Sequence, residues 1–98
     1  MLVKIHEARR VVVALCDKEI FGKKFEEGKK ELDLTGNFFN GEEKSFEEMK
    51  ELLIYYKKED ASFNIVGEKS CSLALKIGLI NSDMIEKVDG IPYSLVLL

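Results

Sequence analysis

The chain has 98 residues, 46% of them hydrophobic and 34% charged, a composition that fits one folded domain and excludes disordered, collagen-like and membrane-spanning chains. A formal net charge of −3 excludes the broad positive field that drives non-specific nucleic-acid binding, so any nucleic-acid role needs a local patch. The cysteines, Cys16 and Cys71, and the one histidine, His6, form no C-x-x-C pair and no zinc-ligand cluster. Charges at Lys4, His6, Glu7, Arg9 and Arg10 interrupt the N-terminal apolar stretch, so no signal peptide is read there. The expectation is a single cytoplasmic domain with free thiols and with no metal, cofactor or membrane partner. Glutamine and tryptophan are absent, while lysine and glutamate number 13 each. That pattern fits a thermostable protein, and a genome that favours lysine over arginine would also produce it.

Residues 2–6 alternate, and residues 10–16 form a Val-rich run, which together predict an N-terminal β-hairpin with its connection near residues 7–9. With a two-residue connection, His6 would lie opposite Val11 and Cys16 opposite Met1. The unbroken run from Val11 to Leu15 predicts a central strand covered by helix on at least one side. Asp17 ends it and is placed to cap a short helical turn that Gly22 terminates. Residues 23–28 read as a polar connection around Phe25, and residues 30–34 as a half-exposed strand closed by Thr35-Gly36-Asn37. Phe38-Phe39-Asn40-Gly41 is a second turn signal carrying two aromatics.

Ser45-Phe46-Glu47-Glu48 is a capping box, followed by Met49, Leu52, Leu53 and Tyr56 on one helical face. A second helix is predicted over residues 65–77, capped by Asn64 and ended by Gly78, with Ile65, Val66, Cys71, Ala74, Leu75 and Ile77 on its apolar side. Asn81 or Ser82 starts a short turn. Residues 85–89 and 91–98 read as strands separated by Gly90, with Pro92 at an edge or at a strand start. The order of elements predicts an α+β two-layer sandwich, an antiparallel or mixed sheet with helices on one face.

Chemistry has few places to sit. Cys16 with His6 is the obvious nucleophile pair, but the hairpin separates them by five residues, well beyond hydrogen-bond reach. Both cysteines read as small core residues. Asp17 and Glu19 offer carboxylates at a strand end, with helix capping as the plainer role. Lys23 and Lys24, beside Gly22, and the segment Asn64-Ile65-Val66-Gly67-Glu68 are the two places suited to an anion, the second because a helix N-terminus presents free N–H groups. Neither is a phosphate-loop motif. The lysine pairs have acidic neighbours, which favours a solvated mixed-charge face. Phe38 and Phe39 suit an exposed stacking tip, with at least one of them expected in the core.

Cys16-Asp17-Lys18-Glu19 with Gly22-Lys23, then Phe38-Phe39-Asn40-Gly41, Asn64-Ile65-Val66-Gly67-Glu68, Gly78-Leu79-Ile80 and Gly90-Ile91-Pro92, resemble a small archaeal family catalogued as domain of unknown function 424. The resemblance spans nearly the whole chain. It implies a compact α+β fold, a cytoplasmic archaeal protein and no assigned activity. Because one histidine and two isolated cysteines make no complete catalytic set, the expected role is a non-enzymatic binding module for RNA, a ribonucleoprotein or a protein partner. Asp17, Glu19, Lys23, Lys24, Phe38, Phe39, Asn64, Gly67 and Glu68 are the contact candidates, on loops of a rigid scaffold. The alternatives are a small enzyme built on Cys16, Asp17 and Glu19, and a homodimer joined through the apolar segment from Ser94 to Leu98.

Overall fold

The Val-rich run lies near the middle of a six-stranded sheet of order β5-β1-β2-β6-β8-β7. The computed structural model describes residues 1–97. β1 (Leu2–Glu7) and β2 (Val11–Cys16) form the expected hairpin. Their connection has three residues, 8–10, so Glu7 faces Val11, His6 faces Val12 and Cys16 faces Leu2. This is one place away from the register of a two-residue turn, because loop length fixes hairpin register.

β6 (Ser62–Val66) runs parallel to β2, from Val12 opposite Ser62 to Cys16 opposite Val66. The other strand pairs of this sheet are antiparallel. Asn64, Ile65 and Val66 are therefore strand, not the start of a helix, and Asn64 caps nothing. Phe63 and Ile65 enter one core while Val66 enters another, the period-two signature of a strand buried on both faces. Gly67, at φ 112°, breaks the chain between β6 and the helix α2 (Glu68–Lys76).

The helix α1 (Phe46–Lys58) begins with the predicted capping box. Ser45 Oγ accepts the Glu48 N–H at 3.2 Å, and the Glu48 carboxylate accepts the Ser45 N–H at 3.0 Å. Met49 and Leu53 are fully buried, whereas Phe46 stays exposed beneath the Lys76 ammonium, 5.4 Å from the ring centre. Both helices pack on one face of the sheet over Val3, Val13, Leu15, Phe63, Ile65 and Val96. Leu75, expected on the apolar side of α2, is exposed, and Gly78 takes the left-handed conformation just past the helix end.

β7 (Glu86–Val88) and β8 (Ile91–Val96) are joined by Asp89 and Gly90, both at positive φ (51° and 78°), as a tight hairpin turn requires. Pro92 sits second in β8, an inner strand and not an edge, and its carbonyl accepts the Gly67 N–H at 2.8 Å.

The opposite face carries a feature the sequence reading missed. The stretch read as a polar connection contains β3 (Lys24–Glu27), which pairs with β4 (Lys30–Asp33) as a separate ribbon, Phe25 opposite Leu32. Residues 20–39 cover part of this second face, packing Ile20, Phe21, Phe25, Leu32, Leu34 and Phe39 over Leu2, Ala14, Cys16 and Val66. The two-layer α+β sandwich is as expected, with this partial third layer added. β5 (Glu42–Glu43) closes the β1 edge opposite Leu2 and Val3.

Candidate functional site

Two regions gather the candidate residues. The first is the corner where the parallel strands β2 and β6 end and α2 begins. Asp17 follows directly on β2. It does not cap the short 3₁₀ turn Lys18–Ile20 beside it; it reaches across to α2. Its carboxylate accepts the Lys69 N–H at 3.0 Å, the Ser70 N–H at 2.8 Å and the Ser70 hydroxyl at 2.7 Å. Gly67 lies so close that a Cβ there would stand 2.3 Å from the Asp17 carboxylate carbon. Two of the donors that make a helix N-terminus an anion site are thus already taken by an anion of the same chain. Glu19 pairs with the Lys69 ammonium, which holds its carboxyl below the usual range, and Glu68 is exposed in the first turn of α2, where the helix dipole favours it. Asp17, Glu19, Gly67, Glu68 and Lys69 line a shallow cleft of about 300 Å³ here.

Both thiols lie inside. Burial, with the Asp17 charge adding to it, pushes Cys16 and Cys71 up to about 11, so they are protonated at neutral pH. Cys16 and His6 occupy opposite ends of the β1–β2 hairpin. Thiolate chemistry has no support in this geometry. Lys24 is held by Glu26 at 3.4 Å and Glu31 at 2.8 Å, and Lys23 is exposed next to it.

The second region is the part of the second sheet face that residues 20–39 leave open. The two phenylalanines divide here. Phe39 is 8% exposed and belongs to the core, while Phe38 is 41% exposed. The Phe38 ring stacks on His6, with centroids 4.4 Å apart and planes 14° from parallel, and His6 Nε2–H donates to the Phe38 carbonyl at 2.9 Å. Lys4 Nζ holds the same loop through the Asn37 carbonyl at 2.9 Å.

The strand registers place the rest. Lys4, Ala14, Asn64 and Leu95 stand opposite one another in one row across four strands, and His6, Val12 and Ser62 form the next row. Residues that face each other across a ladder share a sheet face, so these rows make one strip, in which Ala14 and Ser62 are buried while Lys4, His6, Asn64 and Leu95 reach the surface. Leu95 is 48% exposed, and Leu97, just past β8, is 75% exposed. Val96 between them is buried, so only alternate residues of the apolar C-terminal segment face outward. Leu98, the last residue of that segment, lies outside the described residues.

Of the predicted candidates, Asp17, Glu19, Gly67 and Glu68 come together at the corner. Phe38 and Asn64 meet the open strip, Phe39 is structural, and Lys23 and Lys24 belong to neither region. Lys4 was not foreseen; His6 was weighed only as a partner of Cys16, and Leu95 only as part of the dimer segment. Reading Phe63-Asn64-Ile65 with period two would have put Asn64 on a sheet face, but the row it shares depends on registers between distant segments.

The fold defines a small α+β protein whose mixed sheet is covered by helices on one face and only partly covered on the other. The chain belongs to the family described as protein of unknown function DUF424, whose profile matches residues 6–98. It is similar in structure to an uncharacterized conserved protein from Methanopyrus kandleri, an archaeon. That crystal structure superposes with a TM-score of 0.84 at 26% identity, covering 97% of this chain and 88% of the other. No curated protein matches the chain. Among the described residues no helix is long and apolar enough to cross a membrane.

Proposed function

We propose that the protein is a non-enzymatic binding module that contacts single-stranded RNA through the open strip of its sheet. The observation that carries this reading is the Phe38 ring, left exposed while Phe39 is buried and fixed in place by stacking on His6. An aromatic held rigidly on a sheet face is a platform on which an unpaired base can stack, and such stacking contributes about 1 to 3 kcal/mol per base. Lys4 stands in the adjoining row, and Arg9 and Arg10 lie in the hairpin tip at the end of the strip, placed to meet phosphates. The corner is a poor rival anion site, since the Asp17 carboxylate already takes the Lys69 and Ser70 N–H groups of α2.

The test is fluorescence anisotropy of a labelled single-stranded RNA of mixed sequence at about 50 and 200 mM salt. Binding should weaken modestly between the two, because few cations border the strip. Phe38→Ala should weaken it about tenfold or more. No binding at either salt overturns the reading.

A further inference from the structure

Asn64 is an unusual residue for the middle of a central strand, where β-branched and aromatic side chains are favoured. It stands between the buried Ala14 and the exposed Leu95. It is half-buried, and its side-chain amide makes no hydrogen bond to the described residues; no fully buried side-chain polar atom among them lacks a partner, so the unpaired amide is open to solvent. The amide opens into a cleft of about 230 Å³ between β4 and the sheet, whose lining includes Leu34, Phe39, Tyr93 and Leu95. The Tyr93 hydroxyl is likewise without a partner among the described residues. Glu31 and Asp33 also border this cleft, Glu31 bound to Lys24 and Asp33 to Thr35.

We infer that this cleft is a nucleobase pocket, in which the Asn64 amide pairs with the hydrogen-bonding edge of one base between apolar and aromatic walls. An asparagine amide presents a donor and an acceptor side by side, the pattern that matches a base edge. The walls suit a flat uncharged ring. The Glu31 and Asp33 carboxylates disfavour a phosphate inside, so the phosphates stay outside the cleft, toward Lys4. The site deepens the RNA-contact reading above and rests on it for one of its two ligand sources. The base belongs either to single-stranded RNA, with its neighbour on Phe38, or to a free nucleotide.

The experiment is a ¹H–¹⁵N NMR titration of the full chain with the four nucleoside 5′-monophosphates and, separately, with single-stranded RNA homopolymers of about twelve nucleotides. The Asn64 side-chain amide pair is followed directly. Saturable shifts of that pair with at least one base, weakened about tenfold by Asn64→Ala, support the pocket. Shifts with oligomers alone make RNA the source, and shifts with monophosphates alone make it a free nucleotide. Should Asn64→Ala lose the dispersed spectrum of a folded chain, the wild-type Asn64 resonances decide the matter. An unmoved Asn64 amide overturns the pocket, even if Phe38-dependent RNA binding persists and the wider reading stands. Loss of RNA binding with Asn64 shifts retained overturns the wider reading and leaves the pocket.

Discussion

The Asp17 carboxylate accepts three hydrogen bonds from the first turn of α2, and Gly67 is the only residue type that lets it approach. Removing it leaves the buried Ser70 hydroxyl and two backbone N–H groups without their acceptor. Asp17→Ala is therefore expected to cost about 2 kcal/mol in urea denaturation. Gly67→Ala should cost at least as much, since it combines a strained positive φ with a clash against the carboxylate. Stability unchanged in both variants would refute the assignment. The thiols give a second test at this scale. Buried, and raised to about 11, Cys16 and Cys71 should resist a disulfide-exchange reagent at pH 8 and titrate as two equivalents only on unfolding. Fast labelling of native Cys16 would reopen the nucleophile alternative.

Among the elements, α1 offers a pH prediction. The Ser45 N–H donates to Glu48 in the folded state and holds its carboxyl below the ordinary value of 4.5. A pKa lower in the folded than in the unfolded state adds stability fully above about pH 4.5, and this is lost as pH falls through the folded value. Glutamine at the same position keeps the capping geometry and does not titrate. The stability of the wild type relative to Glu48→Gln, followed by circular-dichroism melts, should therefore be greatest near neutral pH and shrink on acidification. A difference independent of pH would remove the charged form of Glu48 from the cap.

The same element shows what local sequence can carry. The capping box and the three-and-four spacing that follows it are contained within a dozen residues, so α1 is legible without its neighbours, as are the break at Gly90 and the Val-rich strand. β6 is not, because its apolar residues run on into those of α2 and fit a helical period as well as a strand. Only the packing of Phe63 and Ile65 against one layer and Val66 against the other separates the two. β3 escaped for a related reason: four residues with one apolar member carry almost no periodic signal, and their strand state depends on β4. The candidate site follows the same rule. Phe38 and Asn64 could be singled out one by one, yet nothing local says that Asn64 shares a row with Lys4 and Leu95.

For the molecule as a whole, the sheet has two unlike faces. One is sealed by α1 and α2, and the helix-covered core includes the largest buried side chains, among them Phe63, Met49 and Leu53. The other is sealed only where residues 20–39 cross it, and the remainder presents an aromatic, an amide and two leucines to solvent. A net charge of −3 leaves attraction for nucleic acid to the few cations beside that strip.

The parallel pairing of β2 with β6 also bears on how the chain finds this structure. Val12 and Ser62 stand side by side although about fifty residues separate them along the chain. The β1–β2, β3–β4 and β7–β8 hairpins and α1 are local and can form early, but the sheet cannot become continuous until that long loop closes, and closure entropy must be met before its contacts are gained. During synthesis, the N-terminal hairpin emerges with one edge of its Val-rich strand unpaired and waits for β6. In that interval the nascent chain is most exposed to mispairing, and the charges of Lys4, Glu7, Arg9 and Arg10 on the hairpin are placed to discourage it.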